Sequence, residues 1–410
     1  MANEKSRVAI IGGGFGGLFT ALELAGECAV TLISRADHFQ FTPMLYEYLS
    51  GEVKAWQIAP PYKELLGDKV KFVQGEATNV DLQTRQITIK DNAERVAYDV
   101  LVVAVGGVTN YENVEGAKEY ALPFRTIEQA DELRRRMSET IDRMTHADDN
   151  AADDAAIFAI VGGSASGVEL AAKMADLLQA DCARKNLTIE PRVMLIEEAD
   201  EIAAEMDEEL RAYALRALEN ARIEIQTKTK VLRVDASSVT VERDGAQTEI
   251  KTAAVVWTGG VQINPLVLKL KLEKEAKKNL IIVENTLQAR GHENIFALGD
   301  IAHYENADKG LNGTAQLAYQ QASLAADNIK ALLAGKELRT DFFKERGTAL
   351  SLGTTDAAVE IGGEVLTGRL AREARFAAYA ARLPTWRHRL TAGAQWLLGG
   401  SHPQPLDEAR

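Results

Sequence analysis

Short apolar runs lead directly into glycine-rich turns at two places in this chain, and a stretch with helical spacing follows each turn. The first run, 7–11, leads into the glycines between positions 12 and 17 and then into a helical pattern over 18–25. The second run, 155–161, leads into the turn at 162–167 and another helical pattern. Continuous apolar runs of this length are typical of strands buried on both faces of a parallel sheet. The pattern therefore predicts an α/β fold with two similar units.

The glycine spacing in the two turns indicates a specific chemistry. The first turn, from Gly12 onward, has the pattern G-x-G-x-x-G between a strand and a helix. A tight glycine turn before a helix N-terminus offers free N–H groups to a pyrophosphate. The second turn repeats the pattern from Gly162 to Gly167, with Ser164 in place of the middle glycine. Serine is small and can itself donate to phosphate, so we predict that both turns bind a dinucleotide.

The residues at the end of the next strand in each unit differ in charge. A carboxylate is expected there, because it hydrogen-bonds the adenosine ribose. The first unit has Ser34-Arg35 instead, which could hold a ribose hydroxyl or equally a 2′-phosphate, so an NADP site there is an open alternative. The second unit has Glu197-Glu198, two carboxylates that would repel a 2′-phosphate. We therefore favour NADH over NADPH at the second turn.

A third feature lies near the end of the nucleotide-binding region. The apolar segment 294–298 runs into Gly299-Asp300, which places a carboxylate at a strand end beside open backbone. Such an arrangement suits a sugar or phosphate-bearing ligand such as a flavin. Gln316 and Gln320 follow, four positions apart and therefore on one face of a predicted helix. These amides predict a site for a neutral polar ring.

Composition excludes several classes of function. The chain has 410 residues and a net charge of −13, which disfavours nucleic acid as a partner, because phosphate backbones require a basic surface. Cys28 and Cys182 are far apart, so we expect neither a disulfide scaffold nor a redox dithiol, and we assign no metal ligands. We also expect neither a secretory signal nor a transmembrane helix, since no apolar run reaches the roughly 18 residues that a spanning helix needs.

The C-terminal stretch differs electrically from the rest of the chain. Residues 369–410 contain seven arginines against three acidic residues. The arginines alternate with apolar side chains such as Leu370, Trp386 and Trp396. Basic charge with aromatic anchors is typical of helices that lie on anionic lipid, so we predict membrane-interface helices within 369–398. A homodimer interface, or ordinary C-terminal packing, is the alternative use of this stretch.

These features predict two Rossmann-like dinucleotide-binding domains, the second inserted in the first, plus a C-terminal amphipathic membrane-associating region. The predicted bounds are 1–125 with 262–330 for the first domain, 126–261 for the second, and 331–410 for the C-terminal region.

The constellation resembles the two-dinucleotide-binding-domain flavoproteins, and within them the type II NAD(P)H:quinone oxidoreductases, which are single-subunit NADH dehydrogenases that do not pump protons. The resemblance covers roughly residues 7–330. It rests on the absent cysteine pair, on Trp257-Thr258-Gly259-Gly260, and on 315–320, which is similar to the family's quinone-site motif A-Q-x-A-x-Q. The segments 43–53 and 56–60 resemble the cyanobacterial and plastid C1 branch, members of which are linked to demethylphylloquinone reduction in vitamin K1 synthesis.

The resemblance implies tightly bound FAD at the first turn, NADH or NADPH as co-substrate at the second, and a quinone at the glutamines. Asp300 would lie on the ribityl-phosphate side of FAD, Glu169 near the nicotinamide, and Gln316 with Gln320 at the quinone carbonyls. The family's acid at position 34 is missing, and its Gly-Glu after Glu169 is replaced by Ala172-Lys173. The residues implied for FAD are Gly12, Gly14, Gly16, Gly17, Ser34, Arg35, Ala77, Gly106 and Asp300. Those implied for NAD(P)H are Gly162, Ser164, Gly167, Glu197 and Gly260.

The implied activity is the transfer of two electrons from NAD(P)H through FAD to a membrane quinone, such as demethylphylloquinone or plastoquinone, without proton pumping. The protein would be peripheral, at the cytoplasmic face of a thylakoid or plasma membrane if it is cyanobacterial. Two other hypotheses about the function stay open. One is a soluble flavoprotein reductase of ferredoxin or rubredoxin type, and the other is a redox-sensing module that holds FAD and NAD without turnover.

Overall fold

The computed structural model describes residues 5–146, 156–188, 190–306, 313–398 and 402–408. The described residues form strands and helices that alternate along most of the chain. The strands are β1 (Arg7–Ile11), β2 (Ala29–Ser34), β3 (Val70–Gln74), β4 (Ala77–Asp81), β5 (Gln86–Ile89), β6 (Val96–Ala97), β7 (Val100–Val103), β8 (Gly107–Thr109), β9 (Leu122–Pro123), β10 (Ile157–Val161), β11 (Arg192–Ile196), β12 (Glu224–Gln226), β13 (Lys230–Val234), β14 (Ser238–Arg243), β15 (Ala246–Lys251), β16 (Ala254–Trp257), β17 (Val261–Ile263), β18 (Ile281–Ile282), β19 (Ile295–Ala297), β20 (Ala302–His303), β21 (Thr348–Ser351), β22 (Ala357–Ile361) and β23 (Glu364–Thr367). The helices are α1 (Phe15–Leu24), α2 (Leu45–Leu49), α3 (Ala55–Ile58), α4 (Tyr62–Leu66), α5 (Ala117–Tyr120), α6 (Ile127–His146), α7 (Ala165–Arg184), α8 (Glu208–Asn220), α9 (Pro265–Lys269), α10 (Ala315–Leu333), α11 (Gly368–Ala380) and α12 (Trp386–Leu397), with 3-10 turns at Thr42–Met44, Gly67–Lys69 and Gly299–Ile301.

The chain divides into two compact units. The first consists of Met1–Gln40, Ala59–Val108 and Val261–Glu345. Its central sheet is parallel, in the order β19-β7-β1-β2-β3, and an antiparallel sheet of β4, β5 and β6 accompanies it. The middle strand β1 is aliphatic and almost wholly buried, as expected for a strand covered on both faces. Helices α1 and α10 pack together, with the ring of Tyr319 edge-on to Phe19 at 4.6 Å.

The second unit consists of Phe41–Ile58, Thr109–Gly260 and Arg346–Arg410. It has a second parallel sheet, in the order β12-β11-β10-β16-β9, and two antiparallel sheets, β13-β14-β15 and β21-β22-β23. Both predicted strand-turn-helix segments are present, as β1 with α1 and β10 with α7; residue 155, where the second apolar run starts, lies outside the described part. The predicted α/β fold with parallel sheets is confirmed.

The predicted domain bounds stay a prediction, and the compact units are bounded differently. The second unit takes in Phe41–Ile58 and Arg346–Arg410 in addition to the nucleotide-binding segment. Ion pairs among α7, α11 and the segment around α2 hold these pieces together, as described below. No helix in the described ranges has both the length and the apolar character needed to cross a bilayer.

Candidate functional site

The first glycine turn joins β1 to α1 through positions that only glycine can occupy. Gly12 has a φ of +105°, and its N–H donates to the carbonyl oxygen of Ile33 at 2.8 Å. A Cβ on Gly12 would lie 2.2 Å from the carbonyl oxygen of Ala104, and a Cβ on Gly17 would lie 1.8 Å from that of Gly12. Any side chain at these two positions would push the helix and the neighbouring strand away from the turn.

Gly14 is glycine for a different reason. Its φ of −71° and ψ of −164° suit any residue, and no described atom lies within 4 Å of the place where its Cβ would be. The first turn of α1 begins at Phe15. Open space beside the N–H groups of a helix N-terminus fits the pyrophosphate of a dinucleotide, so the residues present here are suited to FAD.

The predicted flavin segment also forms a turn with open backbone. Gly299 has a φ of +74°, and its N–H donates to Oε1 of Gln321 at 2.7 Å. Oδ2 of Asp300 lies 3.9 Å from where a Cβ on Gly106 would stand, so these two predicted FAD residues are brought together. Nε2 of Gln321 is buried without a hydrogen-bond partner among the described residues. An unsatisfied donor in this place fits a ligand that carries acceptor atoms.

The other predicted FAD residues occupy varied positions in the same unit. Ser34 ends β2 and is half-buried, whereas Arg35 is exposed. Ala77 is buried at the start of β4. A Cβ on Gly16 would lie 2.6 Å from Cδ1 of Leu298, so this glycine allows α1 to approach the strand behind it.

The two predicted quinone residues share one face of α10, as their spacing predicts. The helix begins where the hydroxyl of Thr314 accepts a hydrogen bond from the N–H of Leu317 at 3.1 Å. Gln316 and Gln320 are both half-buried. The amide of Gln320 donates over long distances, 3.4 Å to the carbonyl oxygen of Gln316 and 3.3 Å to that of Lys344. Bonds of this length are weak and could be exchanged for a ligand carbonyl.

The second glycine turn repeats the geometry of the first. Gly162 has a φ of +108°, and its Cβ would lie 2.6 Å from the backbone of Gly259. A Cβ on Gly167 would lie 1.8 Å from the carbonyl oxygen of Gly162. Ser164 has a φ of −68° and a ψ of 178°, close to the conformation of Gly14. The serine therefore causes no backbone strain, and its hydroxyl stands where the first turn is open.

A cavity of about 330 Å³ lies beside this turn, at the carboxyl ends of β10, β11 and β16. This is the edge of a parallel sheet at which nucleotides bind in such folds. The residues that line the cavity are Glu112, Val114, Val161, Gly162, Ser164, Ile196, Glu197, Glu198, Thr229, Lys230, Val231, Trp257, Gly259 and Gly260. Four of the five predicted NAD(P)H residues are among them.

Glu197 is held by the backbone around it. Its Oε2 accepts a hydrogen bond from the N–H of Gly163 at 2.6 Å, and its Oε1 accepts one from the N–H of Ala199 at 2.8 Å. Two backbone donors fix the carboxylate at the corner where a ribose would lie. Glu198 points to a different partner, Lys230, at 3.8 Å.

The charge around this corner is mainly negative. Burial raises the pKa of Glu112, and the nearby carboxylates of Glu198 and Glu197 raise it further. Lys230 is the one cationic side chain among the lining residues. Three carboxylates against one ammonium group disfavour a 2′-phosphate, which supports the preference for NADH inferred from the sequence.

Glu169 lies on α7 inside a group of buried charges. Its Oε1 accepts hydrogen bonds from the N–H of Ser351 at 2.8 Å and from the guanidinium of Arg375 at 3.0 Å. Arg375 also contacts Oε1 of Glu47 at 2.6 Å. Burial raises the pKa of Glu169 to about 7, although Arg375 and the Ser351 N–H work in the opposite direction. A carboxyl group with such a pKa can bind or release a proton near neutrality.

A second set of ion pairs lies beside the first. Lys173, one turn after Glu169 on α7, contacts Oε2 of Glu52 at 2.8 Å and lies 3.9 Å from Glu47. Arg372 contacts the other oxygen of Glu52 at 2.6 Å. Three carboxylates thus face three cationic side chains, and the group is neutral when all are ionised. We name these six residues the buried charge cluster: Glu47, Glu52, Glu169, Lys173, Arg372 and Arg375.

The structure corrects the part that some C-terminal residues play. Arg375, Phe376 and Leu383 belong to the stretch predicted to lie on lipid, but all three are buried within the second unit. The ring of Phe376 stacks on Trp396 at 3.5 Å. These side chains stabilise the unit, because their charge or apolar area is satisfied inside it. Other large apolar side chains of α11 and α12, and of the residue after α12, are exposed. These are Leu370, Trp386, Leu390, Leu397 and Leu398.

Several residues of the candidate site were not found from the sequence. Gln321 directly follows the glutamine motif, and its position one residue beyond Gln320 was the only signal. Glu47 and Glu52 lie in the segment that resembles the C1 branch, which indicated a lineage and no role. Glu112 comes from a loop that no motif marks.

Comparison with known proteins agrees with this geometry. Residues 6–322 match the family model described as pyridine nucleotide-disulphide oxidoreductase. The demethylphylloquinone reductase NdbB of Synechocystis sp. is 37% identical, over 97% of this chain and 97% of its own. The alternative NAD(P)H-ubiquinone oxidoreductase C1 of Arabidopsis thaliana is 31% identical, over 96% of this chain and 81% of its own. The structure of NDH2 from Plasmodium falciparum in complex with NADH has a TM-score of 0.88 at 19% identity, covering 98% of this chain and 100% of that one, which shows a shared fold.

The chain therefore belongs to the pyridine nucleotide-disulphide oxidoreductase family, and it is an oxidoreductase. The resemblance to type II NAD(P)H:quinone oxidoreductases that was drawn from the motifs is confirmed.

Proposed function

We propose that this protein is an FAD-dependent NAD(P)H:quinone oxidoreductase that passes two electrons to a membrane quinone without pumping protons. The observation that carries the proposal is the presence of two glycine turns with the same geometry in a chain whose two cysteines, Cys28 and Cys182, lie in different units and are buried. A flavoprotein without a redox thiol pair requires another acceptor. Demethylphylloquinone is the acceptor we favour, because the Synechocystis relative is named for its reduction.

FAD, when bound, supplies the chemistry that takes a hydride from the nicotinamide and delivers electrons to the quinone. The chain's own residues bind and orient the partners. The cavity at the second turn holds NADH, with Glu197 accepting from the adenosine ribose. Glu169 orients the nicotinamide and exchanges a proton near neutral pH, which its pKa of about 7 permits. Gln316 and Gln320 donate to the quinone carbonyls, where negative charge develops.

Replacing Gln316 and Gln320 together by leucine is expected to slow the quinone half-reaction about 10- to 100-fold, the effect of losing two hydrogen bonds. The rate at which NADH reduces the flavin should stay within about twofold of the wild-type rate, because neither glutamine lies at the second turn. Stopped-flow measurement of each half-reaction checks this. Gln179→Leu on α7 is the matched control and should change neither. Equal losses in both half-reactions, or none in either, would contradict the role of the two amides.

We also propose that α11 and α12 bind an anionic lipid surface, as a peripheral protein on the cytoplasmic face of its membrane would. The support is the exposure of Leu370 (71%), Trp386 (68%), Leu397 (86%) and Leu398 (86%) close to exposed arginines.

Replacing Trp386 and Leu397 by serine should lower the affinity for anionic vesicles, measured by co-sedimentation, about tenfold or more, because two large apolar anchors are removed. As the control, the exposed Leu268, which lies outside these helices, is replaced by serine, and vesicle binding should not change. Unchanged vesicle binding together with loss of a dimer in solution would assign the surface to a second copy of the chain instead.

A further inference from the structure

In each unit, the residue at the end of the second strand of the parallel sheet lies beside the glycine turn, and the two units have different residues at this position. The N–H of Gly12 donates to the carbonyl oxygen of Ile33 at 2.8 Å, and that of Gly162 donates to Ile196 at 2.9 Å. Ser34 and Glu197, the next residues along, therefore occupy equivalent positions. In the second unit the Glu197 carboxylate covers the corner and binds the turn. Ser34 is too short to do so.

In the first unit, a tyrosine from another segment lies against the glycine turn, beside Ser34. The hydroxyl of Tyr62 donates to the carbonyl oxygen of Gly13 at 2.6 Å. A Cβ on Gly13 would lie 2.0 Å from that hydroxyl oxygen and 3.1 Å from the Cβ of Ser34. At Gly163, the equivalent position of the second unit, a Cβ would lie 2.7 Å from Cγ2 of Ile202 and 3.0 and 3.1 Å from Cβ and Cγ of Glu197. The carbonyl oxygen of Gly163 accepts a hydrogen bond from the N–H of Ala203 at 2.8 Å. The Tyr62 phenol thus takes the place that Ile202 and the Ala203 N–H have in the second unit, and it does so beside Ser34.

Tyr62 is held in place by its backbone and by its ring. Its N–H donates to the carbonyl oxygen of Asp37 at 2.9 Å, and its ring packs on Phe72 with 4.9 Å between centroids. Only 2% of its surface is exposed, so it cannot itself be the contact for a ligand. Ser34, beside it, is half-buried and can be reached from outside. Ser34 is therefore the reachable side chain through which Tyr62 can act on a ligand.

The hydroxyl groups of Ser34 and Tyr62 form a hydrogen-bonded chain in which every donor has one direction. Burial raises the pKa of Tyr62 to about 12, and a hydrogen bond with the Ser34 side chain acts against this rise. The tyrosine is therefore neutral at physiological pH and gives its one proton to Gly13. Its oxygen can then only accept, which turns the Ser34 hydroxyl toward it as a donor. The oxygen of Ser34 is left as an acceptor, polarised by the hydrogen bonds behind it.

We propose that Tyr62 is a positioning residue that fixes Ser34 as the acceptor for the adenosine-ribose hydroxyls of FAD, in place of the carboxylate used at the second turn. The inference rests on the proposed function in that it takes FAD to be the nucleotide at the first turn. It assigns to Tyr62 a role that the motif at 12–17 does not reveal, since the residue that completes the site comes from α4.

The test compares FAD with its analogue lacking both adenosine-ribose hydroxyls, using the refolded or deflavinated full-length chain and equilibrium titration. The wild type should bind the analogue about tenfold more weakly than FAD, which is the value of one hydrogen bond. Tyr62→Phe should bind FAD about as weakly as the wild type binds the analogue, and should no longer distinguish the two ligands. Ser34→Ala should behave in the same way, and adding Tyr62→Phe to it should change nothing further.

Tyr98→Phe is the matched control, because Tyr98 is a buried tyrosine of the same unit whose hydroxyl has no partner among the described residues. It should keep the tenfold preference for FAD. A Tyr62→Phe protein that keeps the preference, even with weaker binding of both ligands, would show a merely structural role and overturn the proposal. Retention of the preference by Ser34→Ala would overturn it as well, whether or not the tyrosine variant folds. Failure of the wild type to bind FAD is a different result and would refute the proposed function itself.

Discussion

Replacing Arg375 by methionine is expected to lower the free energy of unfolding by about 3 to 5 kcal/mol, the usual cost of removing one partner from a buried ion pair. The Arg375 guanidinium contacts Glu47 at 2.6 Å and Glu169 at 3.0 Å, and all three side chains are almost fully buried. Without the arginine, two carboxylates of the buried charge cluster lose their main cationic partner. Denaturant unfolding of the full-length protein measures the loss.

The loss should be larger at a pH of about 8 than at a pH of about 6. The pKa of Glu169 is raised from 4.5 to about 7, so the folded chain keeps a proton that the unfolded chain releases in this range, and stability falls as pH rises. Removing Arg375 raises that pKa further, so the variant goes on losing stability above a pH of about 7, where the loss in the wild type ends. Arg369→Met, on an exposed position of the same helix, should cost about 0.5 kcal/mol or less at either pH. Equal losses for the two variants would contradict the account of the cluster.

Replacing Gly14 by alanine is expected to weaken FAD binding about 10- to 100-fold while leaving the apo-protein as stable as the wild type. The backbone of Gly14 is acceptable for alanine, and no described atom lies within 4 Å of the added methyl group. The methyl group would instead occupy the space assigned to the pyrophosphate, at a cost of about 1 to 3 kcal/mol for overpacking. Flavin content after purification and titration of apo-protein measure the change.

Gly393→Ala serves as the control for this experiment. Its Cβ would also meet no described atom within 4 Å, but it lies in α12, far along the chain from either turn. Alanine there should leave FAD affinity unchanged and slightly favour the helix. If Gly14→Ala bound FAD like the wild type, the assignment of the open space to the pyrophosphate would be wrong.

The fold followed from local patterns in the sequence. An aliphatic strand, a glycine turn and a helix are adjacent in the chain, so β1 with α1 and β10 with α7 could be located from spacing alone. Glu197 could be placed for the same reason, because it directly follows β11. The i, i+4 spacing likewise put Gln316 and Gln320 on one helix face.

The parts of the site that depend on distant residues were not predictable in this way. Glu47, Glu169 and Arg375 come from three separate segments, and a sequence shows their charges without showing their partners. Arg375 consequently looked like one more cation of a lipid-facing helix. Tyr62 is 49 positions from Gly13, and no motif connects them. The folded chain brings such residues together through long-range packing, which periodicity does not encode.

We expect this chain to receive reducing equivalents from a nicotinamide at one glycine turn and to deliver them from FAD at the other to a quinone. Anaerobic stopped-flow spectroscopy of the purified holoprotein tests it most directly. We predict that NADH bleaches the flavin absorption band at least as fast as steady-state turnover, and that a short-chain quinone added afterwards restores it equally fast. A flavin that NADH does not bleach, or that ferredoxin or oxygen reoxidises while the quinone does not, would contradict the account.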